Sequence, residues 1–187
     1  MQDYSMVSKQ EYCGSVFWIT GLSNAGKSSI AIHLQKKIIA ANRECILLDG
    51  DVIRHLFGSD LGYDNNQRRL SAWRNIRLCK GISDQSIDVI CATISMFEEV
   101  RQWGRKNIED YYEIYVSSQA AILEYRRGFT EKVSDKKNIV GGDLSWEEPT
   151  EPDLIINNNN DETVADLAEK IWRSYSADNN ASSLSQK

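Results

Sequence analysis

The sequence predicts an α/β domain in which a parallel β-sheet is flanked by helices. Three observations carry this. Short apolar, β-rich segments alternate with longer segments of helical period, the order that builds βαβ units. A glycine-rich loop, Gly21-Leu22-Ser23-Asn24-Ala25-Gly26-Lys27-Ser28, stands between the first such strand and the first such helix. The 187 residues suffice for one domain with a substantial core, and no linker divides them.

Each element follows from its residues. Val16-Phe17-Trp18-Ile19-Thr20 is short, apolar and β-rich, so a buried strand. Residues 29–40 carry apolar positions at helical spacing. Residues 45–48 form a second strand that runs into Asp49-Gly50-Asp51, and 67–83 read as a long basic helix. A third strand, 87–92, leads into Thr93-Ile94-Ser95, and 97–106 read as helix. Residues 112–116 make a fourth strand and 119–125 a short helix. Residues 126–148 are polar and charged with no clean period, the pattern of a functional lid or a disordered loop. Residues 154–156 form a last strand stopped by four asparagines, 157–160, and 162–175 an amphipathic helix. The domain then spans 13–176, between an N-terminal extension (1–12) and a tail (177–187) whose Ser/Asn-rich composition predicts disorder.

A net charge of −5 and a pI of about 5.1 exclude a broad electrostatic footprint for a nucleic acid polymer or an anionic membrane. Cys13, Cys45, Cys79 and Cys91 are scattered without a C-x-x-C, which argues against zinc and disulfide frameworks and for reduced thiols. The first residues lack the basic and apolar regions of a signal peptide, and no apolar run is long enough to span a bilayer. The expected compartment is cytoplasmic.

The glycine loop reads G-x-x-x-x-G-K-S, a phosphate-binding loop in the strand–loop–helix context its chemistry requires. Its glycines let backbone N–H groups curl around phosphate oxygens, and the helix N-terminus adds partial positive charge. Lys27 is expected to reach the β- and γ-phosphates and Ser28 to ligate Mg²⁺. Asp49 and Asp51 stand at the carboxyl end of a strand, the edge where open α/β sheets bind ligands. A carboxylate there can hold hydrated Mg²⁺ or accept the proton of an attacking hydroxyl; the plainer role is to cap the next helix. Arg54 lies one turn after Asp51, and Arg68, Arg69, Arg74 and Arg77 crowd the next helix. An anionic second substrate needs one or two such cations, and the rest read as a solvated basic face. Arg126 and Arg127 open the expected lid. His33 and His55 are isolated, and Trp73, Trp103 and Trp172 read as packing residues. The D-x-x-G and N-K-x-D motifs of regulatory GTPases are absent.

With these residues in place the chain resembles the adenylyl-sulfate kinases, P-loop kinases that phosphorylate the ribose 3′-hydroxyl of adenosine 5′-phosphosulfate with ATP. The family's G-L-S-G-S-G-K-S/T is matched by residues 21–28. Its L-D-G-D-n-v-R-h-x-L is matched by Leu48-Asp49-Gly50-Asp51-Val52-Ile53-Arg54-His55-Leu56, and its D-L-G-F/Y by Asp60-Leu61-Gly62-Tyr63. Ile94-Ser95 matches its I-S-P, and Glu147-Glu148-Pro149 with Pro152-Asp153-Leu154 its E-x-P-x-x-P-D/E-L. The resemblance implies a parallel-sheet P-loop kinase fold with a lid, and ATP and Mg²⁺ as cofactors. It puts Gly21, Leu22, Ser23, Asn24, Ala25, Gly26, Lys27, Ser28 and Ser29 around the ATP phosphates, with Ser28 and Asp49 at the metal. Asp51 partners the 3′-hydroxyl, with Lys27 and Asp49 beside it. Arg54 and Arg68 meet the anionic group of the nucleotide substrate, and Tyr63 stacks on its base. Ser71, Ile94, Ser95, Arg127 and Ile139 complete the acceptor side. A homodimer is a further expectation of the family.

The departures are uneven. The family's D-R-x-E-N reads Gln67-Arg68-Arg69-Leu70-Ser71, so Ser71 replaces a substrate-contacting Asn. Met96 stands for the Pro after Ser95, and the R-D-x-K-G-L-Y of the lid reads Glu124-Tyr125-Arg126-Arg127-Gly128-Phe129-Thr130. F-T-G-I-D reads Ile139-Val140-Gly141-Gly142-Asp143, so a second stacking aromatic is Ile139. The transfer machinery is intact and the acceptor-choosing parts are altered. Some adenylyl-sulfate kinase-like enzymes of capsule pathways phosphorylate cytidine diphosphoramidate instead, and a pyrimidine leaves less surface to sandwich. That acceptor is the main alternative. A non-catalytic nucleotide-binding module and a P-loop kinase of a small non-nucleotide alcohol are the rivals from other classes.

Overall fold

The computed structural model describes residues 13–130, except 59 and 96, and residues 146–184. Strands β1 (Val16–Thr20), β2 (Cys45–Asp49), β3 (Asp88–Ala92), β4 (Tyr111–Ser117) and β5 (Leu154–Asn157) form one sheet in the order β2-β3-β1-β4-β5. Every neighbouring pair is parallel; Val16 stands opposite Val89 on one side and Tyr111 on the other. Among the described residues six helices cover it: α1 (Lys27–Ala40), α2 (Gly50–Leu56), α3 (Asn65–Ser83), α4 (Glu98–Asn107), α5 (Ala120–Thr130) and α6 (Val164–Leu184).

The period-2 alternation of β1 divides the core into two layers. Phe17 and Ile19 face one layer with Ile30, Leu34 and Ile38 of α1 and Leu167, Ile171 and Tyr175 of α6. Val16 and Trp18 face the other with Ala72, Ile76 and Cys79 of α3 and Val100 of α4. Burying each large aliphatic side chain contributes about 1.5–3 kcal/mol, and both faces of β1 collect it. The chain leaves β1 for β2 on one side and returns to β4 on the other. The carboxyl end of β1 is therefore the topological switch point, where such sheets open a crevice.

Two expectations need correction. Arg126 and Arg127 belong to a helix, because α5 runs to Thr130; of its residues with described side chains only Leu123 is buried, so its apolar period is too weak to read. The terminal helix continues to Leu184, beyond the expected start of a disordered tail. Tyr112 Oη lies 2.9 Å from Ser174 Oγ and 3.3 Å from Asp178 Oδ2, and the second contact ties the extra turns to β4. Among the described residues no helix is long and apolar enough to cross a membrane.

Candidate active site

The carboxyl ends of β1, β2 and β3 open into a cleft of about 630 Å³. Its first wall is the glycine loop. Gly26 has φ 93° and Asn24 φ 63°, left-handed conformations that turn the loop into the N-terminus of α1. Ser23, Asn24, Gly26, Lys27, Ser28 and Ser29 line the cleft, while Ala25 is 1% exposed with its side chain in the core. Lys27 is nearly buried, and its Nζ donates to the Leu22 carbonyl at 2.8 Å. Burial lowers its pKa to about 8, against the upward pull of Asp51 and Asp49.

Asp49 ends β2 and serves two partners. Its Oδ1 accepts from the N–H groups of Asp51 (3.0 Å) and Val52 (3.4 Å), the N-cap of α2, and its Oδ2 accepts from Ser28 Oγ. The capping expected of this carboxylate is therefore present, and it leaves Oδ2 directed at Ser28. A Cβ at Gly50 would lie 2.9 Å from Thr93 Oγ1, so a glycine lets β2 turn into α2 against the end of β3. Asp51 in the first turn of α2 is exposed and lines the cleft.

The opposite wall is basic and aromatic. Arg54 Nη1 donates to the carbonyls of Leu61 (2.9 Å) and Gly62 (2.6 Å), and Arg68 Nε to that of Tyr63 (2.8 Å). Both guanidinium groups lie over the Tyr63 ring, at 4.6 and 5.2 Å from its centroid. Arg74 holds Asp60 through both carboxylate oxygens, at 3.0 and 2.8 Å. The Asp60-Leu61-Gly62-Tyr63 segment is thus fixed by three arginines, two of which line the cleft beside Tyr63, Ser71 and Ile94.

Gly21 and Leu22 of the loop are outside the cleft lining, and two residues expected on the acceptor side stand elsewhere. Ser95 is fully buried outside the cleft lining; its carbonyl accepts from Arg101 Nη1 at 2.7 Å and from Thr20 Oγ1 at 3.3 Å. Arg127 is absent from the lining, and Arg126 takes the place at the cleft, because the helical turn of α5 points successive residues in different directions. Ile139 lies outside the described residues. Arg126, Thr93, Asn158, Asn160, Glu162 and Val164 also line the cleft. The 157–160 asparagines read from sequence only as a strand stop; their position after the last strand, at the same sheet edge as the glycine loop, was the available signal.

Among the described residues no cluster of three or more His, Cys, Asp or Glu could hold a metal unaided. Mg²⁺ does not need one: it takes one or two carboxylates with waters and substrate phosphates. The Ser28 hydroxyl touching the Asp49 carboxylate is a hard oxygen pair at the loop's mouth, and it fits that ion.

Residues 13–157 match the family model described as adenylylsulphate kinase. The cytidine diphosphoramidate kinase of Campylobacter jejuni is 37% identical over 147 residues, 76% of this chain and 85% of that relative. The adenylyl-sulfate kinase of Clostridium kluyveri is 34% identical over 163 residues, 84% of this chain and 81% of that relative. A solved structure of the Mycobacterium tuberculosis APS kinase in complex with AMPPNP and APS aligns with a TM-score of 0.78 at 25% identity, over 87% of this chain and 98% of that one.

Proposed function

The chain belongs to the adenylylsulphate kinase family, and on that premise we propose an ATP- and Mg²⁺-dependent kinase that phosphorylates the ribose 3′-hydroxyl of a 5′-modified nucleotide, adenosine 5′-phosphosulfate first among acceptors. One observation carries the reading: a single cleft joins the glycine loop, the Ser28–Asp49 pair, Asp51 and Arg54. We place the reaction in the cytoplasm, where ATP is supplied.

Phosphoryl transfer is mostly positioning and charge neutralisation. The loop amides and Lys27 receive the β- and γ-phosphates, Lys27 exchanging its bond to the Leu22 carbonyl for phosphate oxygen. Ser28 and Asp49 are the residues that would hold Mg²⁺, which when bound neutralises phosphate charge. Asp51 orients the 3′-hydroxyl and takes its proton as the oxygen bonds to the γ-phosphorus and the bond to ADP breaks. Arg54 and Arg68 supply cations for the acceptor's anionic 5′-group, and Tyr63 an aromatic face for its base.

Cytidine diphosphoramidate is the second reading, favoured by the 37% identical relative that is named for it and by Ser71 and Ile139 at acceptor positions. The family pattern has an aromatic where this sequence has Ile139, and the loss of one stacking ring is worth about 1–3 kcal/mol. ADP release with each nucleotide in turn, with no acceptor and with a small alcohol such as shikimate tests the reading. Turnover on adenosine phosphosulfate supports the first acceptor, and turnover on cytidine diphosphoramidate alone transfers the assignment to the second. ATP binding without turnover on any acceptor would leave a non-catalytic module. Turnover on the small alcohol alone would sink the nucleotide reading.

A further inference from the structure

The phosphate loop is held by two cleft-lining side chains to which the transfer chemistry gives no role. An anion cradle needs backbone N–H groups that converge inward, so its carbonyls turn outward and need partners of their own. The Asn24 carbonyl accepts from Arg126 Nη1 at 3.1 Å, and the Ala25 carbonyl from Asn158 Nδ2 at 2.8 Å. Arg126 Nη2 also donates to the Asn158 side-chain oxygen at 3.1 Å, its backbone oxygen at 3.2 Å and Asn160 Oδ1 at 2.6 Å. The two side chains thus act as one unit.

That unit is anchored in the sheet. Asn158 is 5% exposed, and its own N–H donates to the Ser117 carbonyl at the end of β4 at 2.8 Å. Its amide packs so closely on the loop that a Cβ at Gly26 would come within 2.4 Å of Nδ2. The loop has a physical need for such a hold. Asn24 sits at φ 63°, a left-handed conformation that a residue with a side chain adopts at a cost and keeps only where its surroundings over-determine it.

We propose that Arg126 and Asn158 are positioning residues of the phosphate loop, which pin the Asn24 and Ala25 carbonyls outward so that the loop amides face a triphosphate. The inference rests on the ATP-binding reading above.

The test is calorimetric titration with Mg²⁺-ATP in the absence of acceptor, beside steady-state kinetics and thermal unfolding. Asn158→Ala is expected to weaken ATP binding about fivefold to tenfold, the worth of one or two lost hydrogen bonds. It should raise the KM for ATP more than the KM for the acceptor. Arg126→Lys keeps a cation but loses the fork that links Asn24 to Asn158, and about threefold weaker binding is expected. The deciding comparison repeats Asn158→Ala in an Asn24→Gly background. Glycine adopts φ > 0 without strain, so the Asn158 change should there cost less than twofold. Equal ATP affinity in wild type, Asn158→Ala and Arg126→Lys overturns the proposal. So does an Asn158→Ala loss of the same size in both backgrounds, which would mean a direct nucleotide contact, or a fall in melting temperature with ATP affinity unmoved. A wild-type protein that binds no ATP overturns the ATP reading itself, an outcome distinct from all of these.

Discussion

The hydroxyl of Ser28 donates to Oδ2 of Asp49, while Oδ1 of the same carboxylate caps α2. One side chain therefore couples the phosphate loop on α1 to the helix that carries Asp51 and Arg54. Substitutions separate the two roles. Asparagine caps helices about as well as aspartate, so Asp49→Asn is expected to cost only a few tenths of a kcal/mol in stability. Loss of the negative charge should still raise the Mg²⁺ concentration needed for half-maximal rate by about tenfold, the cost of roughly 1.4 kcal/mol of charge interaction. Asp49→Ala should lose the cap as well, about 1 kcal/mol. Magnesium titrations of turnover, paired with urea unfolding, check both; an unchanged magnesium requirement in Asp49→Asn refutes the metal assignment.

Asp51 is exposed, and its backbone N–H is already satisfied by Asp49. The N-cap of α2 is the Asp49 side chain, not that of Asp51. Asp51→Asn is expected to lower kcat by about 10²–10⁴, the usual worth of a general base, with melting temperature and KM for ATP close to wild type. Near-normal kcat would remove Asp51 from the proton-transfer role.

The sheet and the cleft were legible to different depths. The five strands among the described residues were readable because each is a short β-rich run, fully buried in β1 and β3 and only partly so in β2 and β5, and the loop was readable because its function requires fixed residues at fixed spacing. Asp51, Arg54 and Ser71 could be placed because they lie within a turn or two of a motif on regular helices. Ser95 and Arg127 could not. Whether a side chain at the end of an element faces the cleft or the core depends on partners far away in the chain, such as Arg101 for Ser95. Asn158 was hidden for the same reason: its partner at Ala25 is 133 residues away. The last turns of α6 carry few strong helix formers, and the contact of Asp178 with Tyr112 is made to a residue 66 positions away, so local propensity alone predicts disorder.

Lys27 sets the pH dependence. Its pKa in the folded protein is about 8, below the ordinary 10.5, because burial penalises its charge. At pH 7 it is protonated and ready for phosphate. Above pH 8 the ligand-free protein loses this proton, and ATP must restore it on binding. Affinity for ATP is therefore expected to fall by up to about tenfold per pH unit above 8, with proton uptake visible as calorimetric heats that depend on buffer ionisation. Stability runs the other way. Between about 8 and 10.5 the unfolded chain binds the proton that the folded chain lacks, so the ligand-free protein gains stability as pH rises through that window. Lys27→Met should abolish both effects, lose most turnover and be no less stable than wild type at pH 7. An ATP affinity that is flat from pH 7 to 9.5 would contradict the assignment of Lys27 as the phosphate cation.

Arg101 joins segments that the cleft depends on. It is fully buried, and its guanidinium donates to the Ser95 carbonyl (2.7 Å), the Glu147 carbonyl (2.9 Å) and Glu98, and lies 3.3 Å from Glu113 of β4. Arg105 approaches the other Glu113 oxygen at 2.6 Å. Removing one member of such a buried group leaves uncompensated charge, so Arg101→Met is expected to cost about 3–5 kcal/mol. Glu113 behaves differently. Burial raises its pKa to about 7 from the ordinary 4.5, despite the opposing pull of Arg105 and Arg101. Between about 4.5 and 7 the folded state holds a proton that the unfolded state has released, so this carboxyl makes stability fall as pH rises through that window. Glu113→Gln imitates the protonated form. It should be close to wild type near pH 5, and its advantage over wild type should grow toward pH 8. Urea unfolding of both variants at pH 5, 7 and 8 separates the cases: a large loss for Glu113→Gln at every pH would mean that the ionised carboxylate, rather than Arg101, holds the cluster together.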